Sequence, residues 1–250
     1  MFTFEELQLI DEKVGKRRVW DFSSMNMERE PPPWDLMKIV PHYLQDSDYV
    51  LDIGTGGGEK FLKLSGYFEK GIGIDQSIEM VKMAQEHAER ARISNIIFGQ
   101  MQAEELYYPN ETFDVIVTRH APVFPSKVVR VLKPNGYFLT QRVGAKHRQN
   151  LKDVFGYHPQ QKYANDNGTL IEHFESMGCR VVASGEYNIR YWIKDIFSFI
   201  FWLKGRDFPK GFSIERHWKQ VNEVVEKYMT PRGIETNEHR ELLIVSKLSL

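Results

Sequence analysis

The residues of this chain whose types and spacing point to ligand chemistry are Asp52, Gly54, Gly56 and Gly58, in the run LDIGTGGGEK, and Asp75, which closes GIGID. Glycines so spaced let the backbone turn sharply and approach a bound molecule, and a carboxylate at the end of the next apolar run can accept hydrogen bonds from both hydroxyls of a ribose. A dinucleotide site asks for a third glycine three places after Gly56; the chain has Glu59 there, an anion where a pyrophosphate would sit. A phosphate loop ending in GK[ST] fails equally, at Glu59-Lys60-Phe61. The spacing therefore argues against a pyrophosphate site, and with it against an NAD(P)-linked dehydrogenase.

Such residues need strands that end at them. Short apolar runs at 49–53, 71–74, 96–98, 113–117 and 136–143 read as strands. They alternate with a helix reaching to about Gly66, one over 77–92 with Ser77 as N-cap, and one ending near Leu132. Further strands are expected at 180–184 and 242–247, the first preceded by a helix over 170–177. The pattern predicts an α/β fold with a doubly wound, mostly parallel, seven-stranded sheet. Ahead of it lie helices over 4–16 and 34–44, separated by a Pro-rich break at 30–33. The expected organisation is an N-terminal helical cap (1–45), a Rossmann-like core (46–190), a helical insertion (191–236) and the last core strand (237–250).

With these elements in place, Asp52 to Gly58 in the register D-x-G-x-G-x-G resembles the first motif of class I S-adenosylmethionine-dependent methyltransferases. The stretch GQMQAEELYYPNETFDVIV is similar to the family's adenine-contacting loop, with Gln102-Ala103 where Asp-Ala is common. The run VVRVLKPNGYFLTQ resembles its helix, turn and fifth strand, with Asn135 in place of the commoner glycine. More narrowly, TRHAPVFPSKVVRVLKPNGYFLTQRVG resembles a bacterial group of methyltransferases of unassigned substrate. The resemblance implies S-adenosyl-L-methionine as cofactor, with contacts from Asp52, Gly54, Thr55, Gly56, Gly58, Asp75, Gln76, Gln102 and Ala103. In the family the acidic residue of the first motif helps to hold the cofactor's ammonium group. Thr118 and Arg119, after the fourth strand, are expected to contact the cofactor mainly through backbone.

His120 follows them and is the candidate general base, able to deprotonate or orient a hydroxyl or amine; a loop histidine packed beside Pro122 is the competing reading. The eight histidines show no HxxxH or HExxH spacing, so no metal ligand is expected. Tyr187, Tyr191, Trp192, Phe197, Phe201 and Trp202 are spaced as if several shared one helical face, either as core or as a substrate lid, and Trp20, Phe22 and Trp34 are candidates to close the other side.

Lys plus Arg (33) nearly cancels Asp plus Glu (34), which argues against a nucleic-acid-tracking surface. The single cysteine, Cys179, excludes an internal disulfide and fits a reducing, cytoplasmic setting. The apolar stretch at 196–203 is far shorter than the roughly 20 residues of a membrane span. The expectation is a methyltransferase, monomeric or homodimeric, acting on an O, N or C atom of a small molecule. RNA or protein methylation and a non-catalytic cofactor-binding module stand as alternatives.

Overall fold

The structure, a computed structural model, describes residues 1–15, 25–156, 166–205 and 208–249. In chain order come α1 (Phe4–Gly15), β1 (Met27–Arg29), α2 (Leu36–Ile39) continuing as a 3-10 turn (Val40–Tyr43), β2 (Tyr49–Ile53), a 3-10 turn (Leu62–Tyr67), β3 (Lys70–Asp75), α3 (Ile78–Ala91) and β4 (Ile96–Gln100). They are followed by β5 (Phe113–Arg119), α4 (Pro125–Val131), β6 (Leu132–Val143), α5 (Gln149–Val154) and α6 (Asn167–Ser176). The remainder is β7 (Cys179–Ile193), α7 (Ile196–Gly205), α8 (Ile214–Tyr228), β8 (Met229–Thr230) and β9 (Gly233–Lys247). Contacts divide the chain into a unit of Pro33–Gly144, Tyr163–Glu186 and Arg240–Leu250 and a unit of Met1–Pro32, Ala145–Lys162 and Tyr187–His239.

The first unit holds β2 to β6, β7 as far as Glu186 and β9 from Arg240, in the sheet order β7-β9-β6-β5-β2-β3-β4, with β2 through β6 parallel and β9 antiparallel to β6. Side chains alternate across each strand, so its apolar runs feed two cores. Val50, Val115, Val117 and Leu139 face one way and pack with Leu36 and Val40 and with Val81, Ala84 and Ala88 of α3. Leu51, Ile53, Ile116 and Phe138 face the other way and pack with Val128 and Val131 of α4 and Leu170 and Phe174 of α6. This is the doubly wound architecture the sequence predicts. Asn135 takes a left-handed conformation (φ 63°), which asparagine tolerates better than most residues and glycine takes freely.

The other unit packs α1, α7 and α8 around Leu7, Val14, Phe199, Phe201, Val221 and Val224. Asn222 clamps the start of the chain, accepting from the Phe2 N–H (2.7 Å) and donating to its carbonyl (2.9 Å). No described helix is long and apolar enough to cross a membrane.

Several elements depart from the sequence reading. The helix expected after β2 is only a 3-10 turn, because three consecutive glycines and the Ser65-Gly66 pair leave too few helix-forming residues. Pro41 similarly tightens the helix expected over 34–44. The strands expected at 180–184 and 242–247 extend over Cys179–Ile193 and Gly233–Lys247. Tyr187, Tyr191 and Trp192 therefore lie on a strand, whereas Phe197, Phe201 and Trp202 lie on α7. The alternation Tyr187, Ile189, Tyr191, Ile193 is the period-2 signal that the aromatic density obscured. Two further strands, β1 and β8, bring the count among the described residues to nine; at three and two residues they are too short to show alternation. Trp20, Phe22 and His158 lie outside the described residues.

Phe174 is fully buried, with its ring centroid 5.3 Å from that of Phe138. Phe174→Ala should lower the free energy of unfolding by about 3–5 kcal/mol in a urea titration.

Candidate cofactor site

A cavity of about 280 Å³ opens at the carboxyl ends of β2, β3, β4 and β5, where ligands settle in open α/β sheets. Each strand delivers one part of its wall. Gly54 comes from β2, Asp75 and Gln76 from β3, Gln102 and Ala103 from the loop after β4, and Arg119 and His120 from the end of β5.

Asp75 organises these pieces. One carboxylate oxygen accepts from the Gly56 N–H (3.0 Å) and the other from the Ser77 N–H (2.9 Å), while its backbone carbonyl accepts from the Met101 N–H (3.0 Å). A single residue thus ties the glycine loop, the start of α3 and the loop after β4. Ser77 then caps α3 by accepting from the Met80 N–H (3.3 Å). The glycine loop leaves β2 with the Gly54 and Thr55 N–H groups donating to the Ile74 carbonyl (2.8 and 2.9 Å). Gly54 has φ 75°, and a Cβ on it would lie 2.5 Å from the Ala121 Cβ, so this glycine lets the β2 and β5 loops touch.

Seven of the twelve sequence-derived candidates line the cavity: Gly54, Asp75, Gln76, Gln102, Ala103, Arg119 and His120. Asp52, Thr55, Gly56, Gly58 and Thr118 are not in its lining. The Thr118 hydroxyl donates to the Ile53 carbonyl (2.9 Å) inside the sheet, so its side chain is spent on joining β5 to β2. Burial pushes the Asp52 carboxyl up to about 6; the Thr55 hydroxyl and the Arg119 charge pull the other way, and Asp75 adds to the rise. His120 adopts a left-handed backbone (φ 69°), its N–H donating to the Gln141 carbonyl (2.9 Å). That bond continues the β5–β6 pairing one residue past Arg119 and fixes where the chain turns over the cavity. Sequence reasoning missed Ile53, Met101, Glu104, Ala121, Pro122 and Phe124 in the wall. Only their adjacency to Gly54, Gln102 and His120 could have signalled them.

A family profile described as "Methyltransferase domain" matches residues 44–194, more than half of the chain. The chain belongs to the methyltransferase-domain family. Among its relatives, the uncharacterized methyltransferase YcgJ of Bacillus subtilis is 40% identical over 97 residues, 36% of this chain and 38% of that protein. Phosphoethanolamine N-methyltransferase 3 of Arabidopsis thaliana is 33% identical over 104 residues, 38% of this chain and 21% of that one. The matched region thus spans well under half the length of either relative. In three dimensions, the crystal structure of YcgJ superposes with a TM-score of 0.63 at 20% identity, covering 86% of this chain and 99% of that one. The [4+2]-cyclase SpnF gives 0.60 at 16%, covering 100% and 98%.

The cofactor of the family is S-adenosylmethionine, and the residues present fit it. Each Asp75 oxygen accepts one backbone N–H and keeps lone-pair capacity for a ribose hydroxyl. Gly56 faces open space, where a Cβ would meet nothing within 4 Å. The acidic Glu104 and Asp75 in the wall suit a ligand without phosphates. Gln102 is exposed and can both accept from and donate to an adenine edge.

Gly54→Ala should push the loop at Ala121 aside and weaken binding of S-adenosylhomocysteine by about tenfold or more in calorimetry. The added methyl group would also strain a left-handed backbone, at a cost of about 1–3 kcal/mol of stability.

Proposed function

We propose that this chain transfers a methyl group from S-adenosylmethionine to an O, N or C atom of a small molecule, as a cytoplasmic enzyme, monomeric or homodimeric. The observation that carries the reading is the convergence of Asp75, Gly54, Gln102-Ala103 and Arg119-His120 on one cavity at the strand ends. The near balance of charge over the chain favours a small acceptor over RNA.

In this reading bound S-adenosylmethionine would supply an activated methyl carbon, with S-adenosylhomocysteine as the leaving group. The protein's task is then chiefly alignment. Asp75 holds the ribose, Gln102 the adenine edge and Asp52 the ammonium of the amino-acid end. His120 stands in the wall to take the proton that an acceptor hydroxyl or amine gives up. The same fold carries the cyclase SpnF, so label transfer rather than architecture decides the reaction.

Calorimetry with S-adenosylmethionine and S-adenosylhomocysteine should give micromolar binding that Asp75→Ala abolishes. Labelled methyl groups should pass into the small-molecule fraction of an extract. Label in RNA or protein would favour a macromolecular acceptor, and binding without any transfer would favour a cofactor-binding module.

The Asp52 carboxyl, near 6, sets a pH dependence. A cationic ammonium favours the ionised form, so affinity for S-adenosylhomocysteine should fall below about pH 6, by up to about tenfold per pH unit. Asp52→Asn should flatten that slope. In the free protein the linkage has the opposite sense: the folded state holds the Asp52 proton more tightly than the unfolded chain. Stability should therefore decline by up to about 3 kcal/mol as pH rises from about 4 to about 6. Urea titrations across that range read it out, with Asp52→Asn as the control.

A further inference from the structure

The glycine loop has a second fastening, which neither the family resemblance nor the cavity wall accounts for. Gly56, Gly57 and Gly58 are consecutive, and Gly56 and Gly58 both have positive φ (57° and 77°). Such a run carries the largest conformational entropy a chain can have, and its peptide planes turn over easily unless something holds them. The plane between Gly57 and Gly58 is held at both ends. The Gly58 N–H donates to the Thr55 carbonyl (3.1 Å), and the Gly57 carbonyl lies 2.8 Å from Nδ1 of His87.

His87 stands on α3 beside Ala84 and Ala88, the small residues that let this helix lie close to the loop. A Cβ on Gly58 would come within 3.0 Å of the Ala84 Cβ. Glu59, whose charge tells against a pyrophosphate site, belongs to the same cluster. Its Oε1 is 3.7 Å from His87 Nδ1. Its carboxylate also fills the space beside Gly57, where an added Cβ would meet Oε1 at 2.8 Å. The Gly57 carbonyl at 2.8 Å is an acceptor and so places a proton on Nδ1, while the Glu59 carboxylate adds negative charge nearby without a hydrogen bond to it.

We infer that His87, with the Glu59 carboxylate beside it, is a positioning residue that fixes the Gly57–Gly58 peptide plane and so preforms the loop for the amino-acid end of the cofactor. The inference rests on the cofactor reading above. Asp75 and His87 then hold the loop from opposite sides, one through the Gly56 N–H and the other through the Gly57 carbonyl. Binding to a loop that is already ordered avoids the entropy of ordering it.

The test compares wild type, His87→Ala and His87→Asn, whose amide N–H can take the place of Nδ1–H. Calorimetry with S-adenosylhomocysteine should show about a tenfold weaker Kd for His87→Ala and recovery to within about threefold for His87→Asn. In turnover, the KM for S-adenosylmethionine should rise with the Kd, and much more than kcat falls. Imidazole nitrogen chemical shifts of wild-type His87 should report the Nδ1-protonated form. His87 is partly exposed, so His87→Ala should keep its circular dichroism spectrum; if it does not, the nitrogen shifts and the Kd of Glu59→Gln, expected to be raised, carry the test. Unchanged binding by a folded His87→Ala, or an Nε2-protonated ring, overturns the inference and leaves the cofactor reading standing. A wild type that binds neither cofactor form overturns the cofactor reading itself.

Discussion

The Asp75 carboxylate accepts from Gly56 on one side and Ser77 on the other, while the carbonyl of the same residue accepts from Met101. Three segments from three strand ends are thereby held at one point. None of them could hold its shape alone: the first is a run of glycines, the second a helix N-terminus and the third an irregular loop. The position of Asp75 is in turn set by β3, whose neighbours β2 and β4 pair with it in parallel along its length. The site therefore inherits its rigidity from the parallel pairing of β2, β3 and β4.

Around that point the chemistry divides by burial. Asp75 sits in the wall with both oxygens already engaged by N–H groups, each with room for a further donor. The carboxyl of Asp52, one strand over, is pushed up to about 6 by burial. One carboxylate is thus suited to hydroxyl recognition and the other to recognition of a cation. At the start of α3 the Ser77 and Met80 N–H groups are already taken by the Asp75 and Ser77 side chains.

Much of this was legible because it is local. Asp52, Gly54, Gly56, Gly58 and Asp75 occupy the ends of consecutive strands, and strand-end position is what a short apolar run followed by glycine encodes. The parallel alternation from β2 to β6 followed from the same short-range pattern. What escaped was non-local or chemically plain. Met101, Pro122 and Phe124 are ordinary side chains that become a wall only when four strand ends meet. His87 is thirty residues from Gly57, and nothing in their spacing joins them. β7 was misjudged because Tyr191, Trp192 and Phe197 fit a helical face as well as a strand until the alternation upstream of them is counted.

The most direct measurement is a crystal structure of the protein with S-adenosylhomocysteine. The account predicts both ribose hydroxyls within about 2.5–3.2 Å of the Asp75 oxygens, the amino-acid end against Gly54 to Gly58 and the adenine beside Gln102-Ala103. A ligand bound elsewhere, or a ribose that leaves Asp75 bonded only to Gly56 and Ser77, would contradict it.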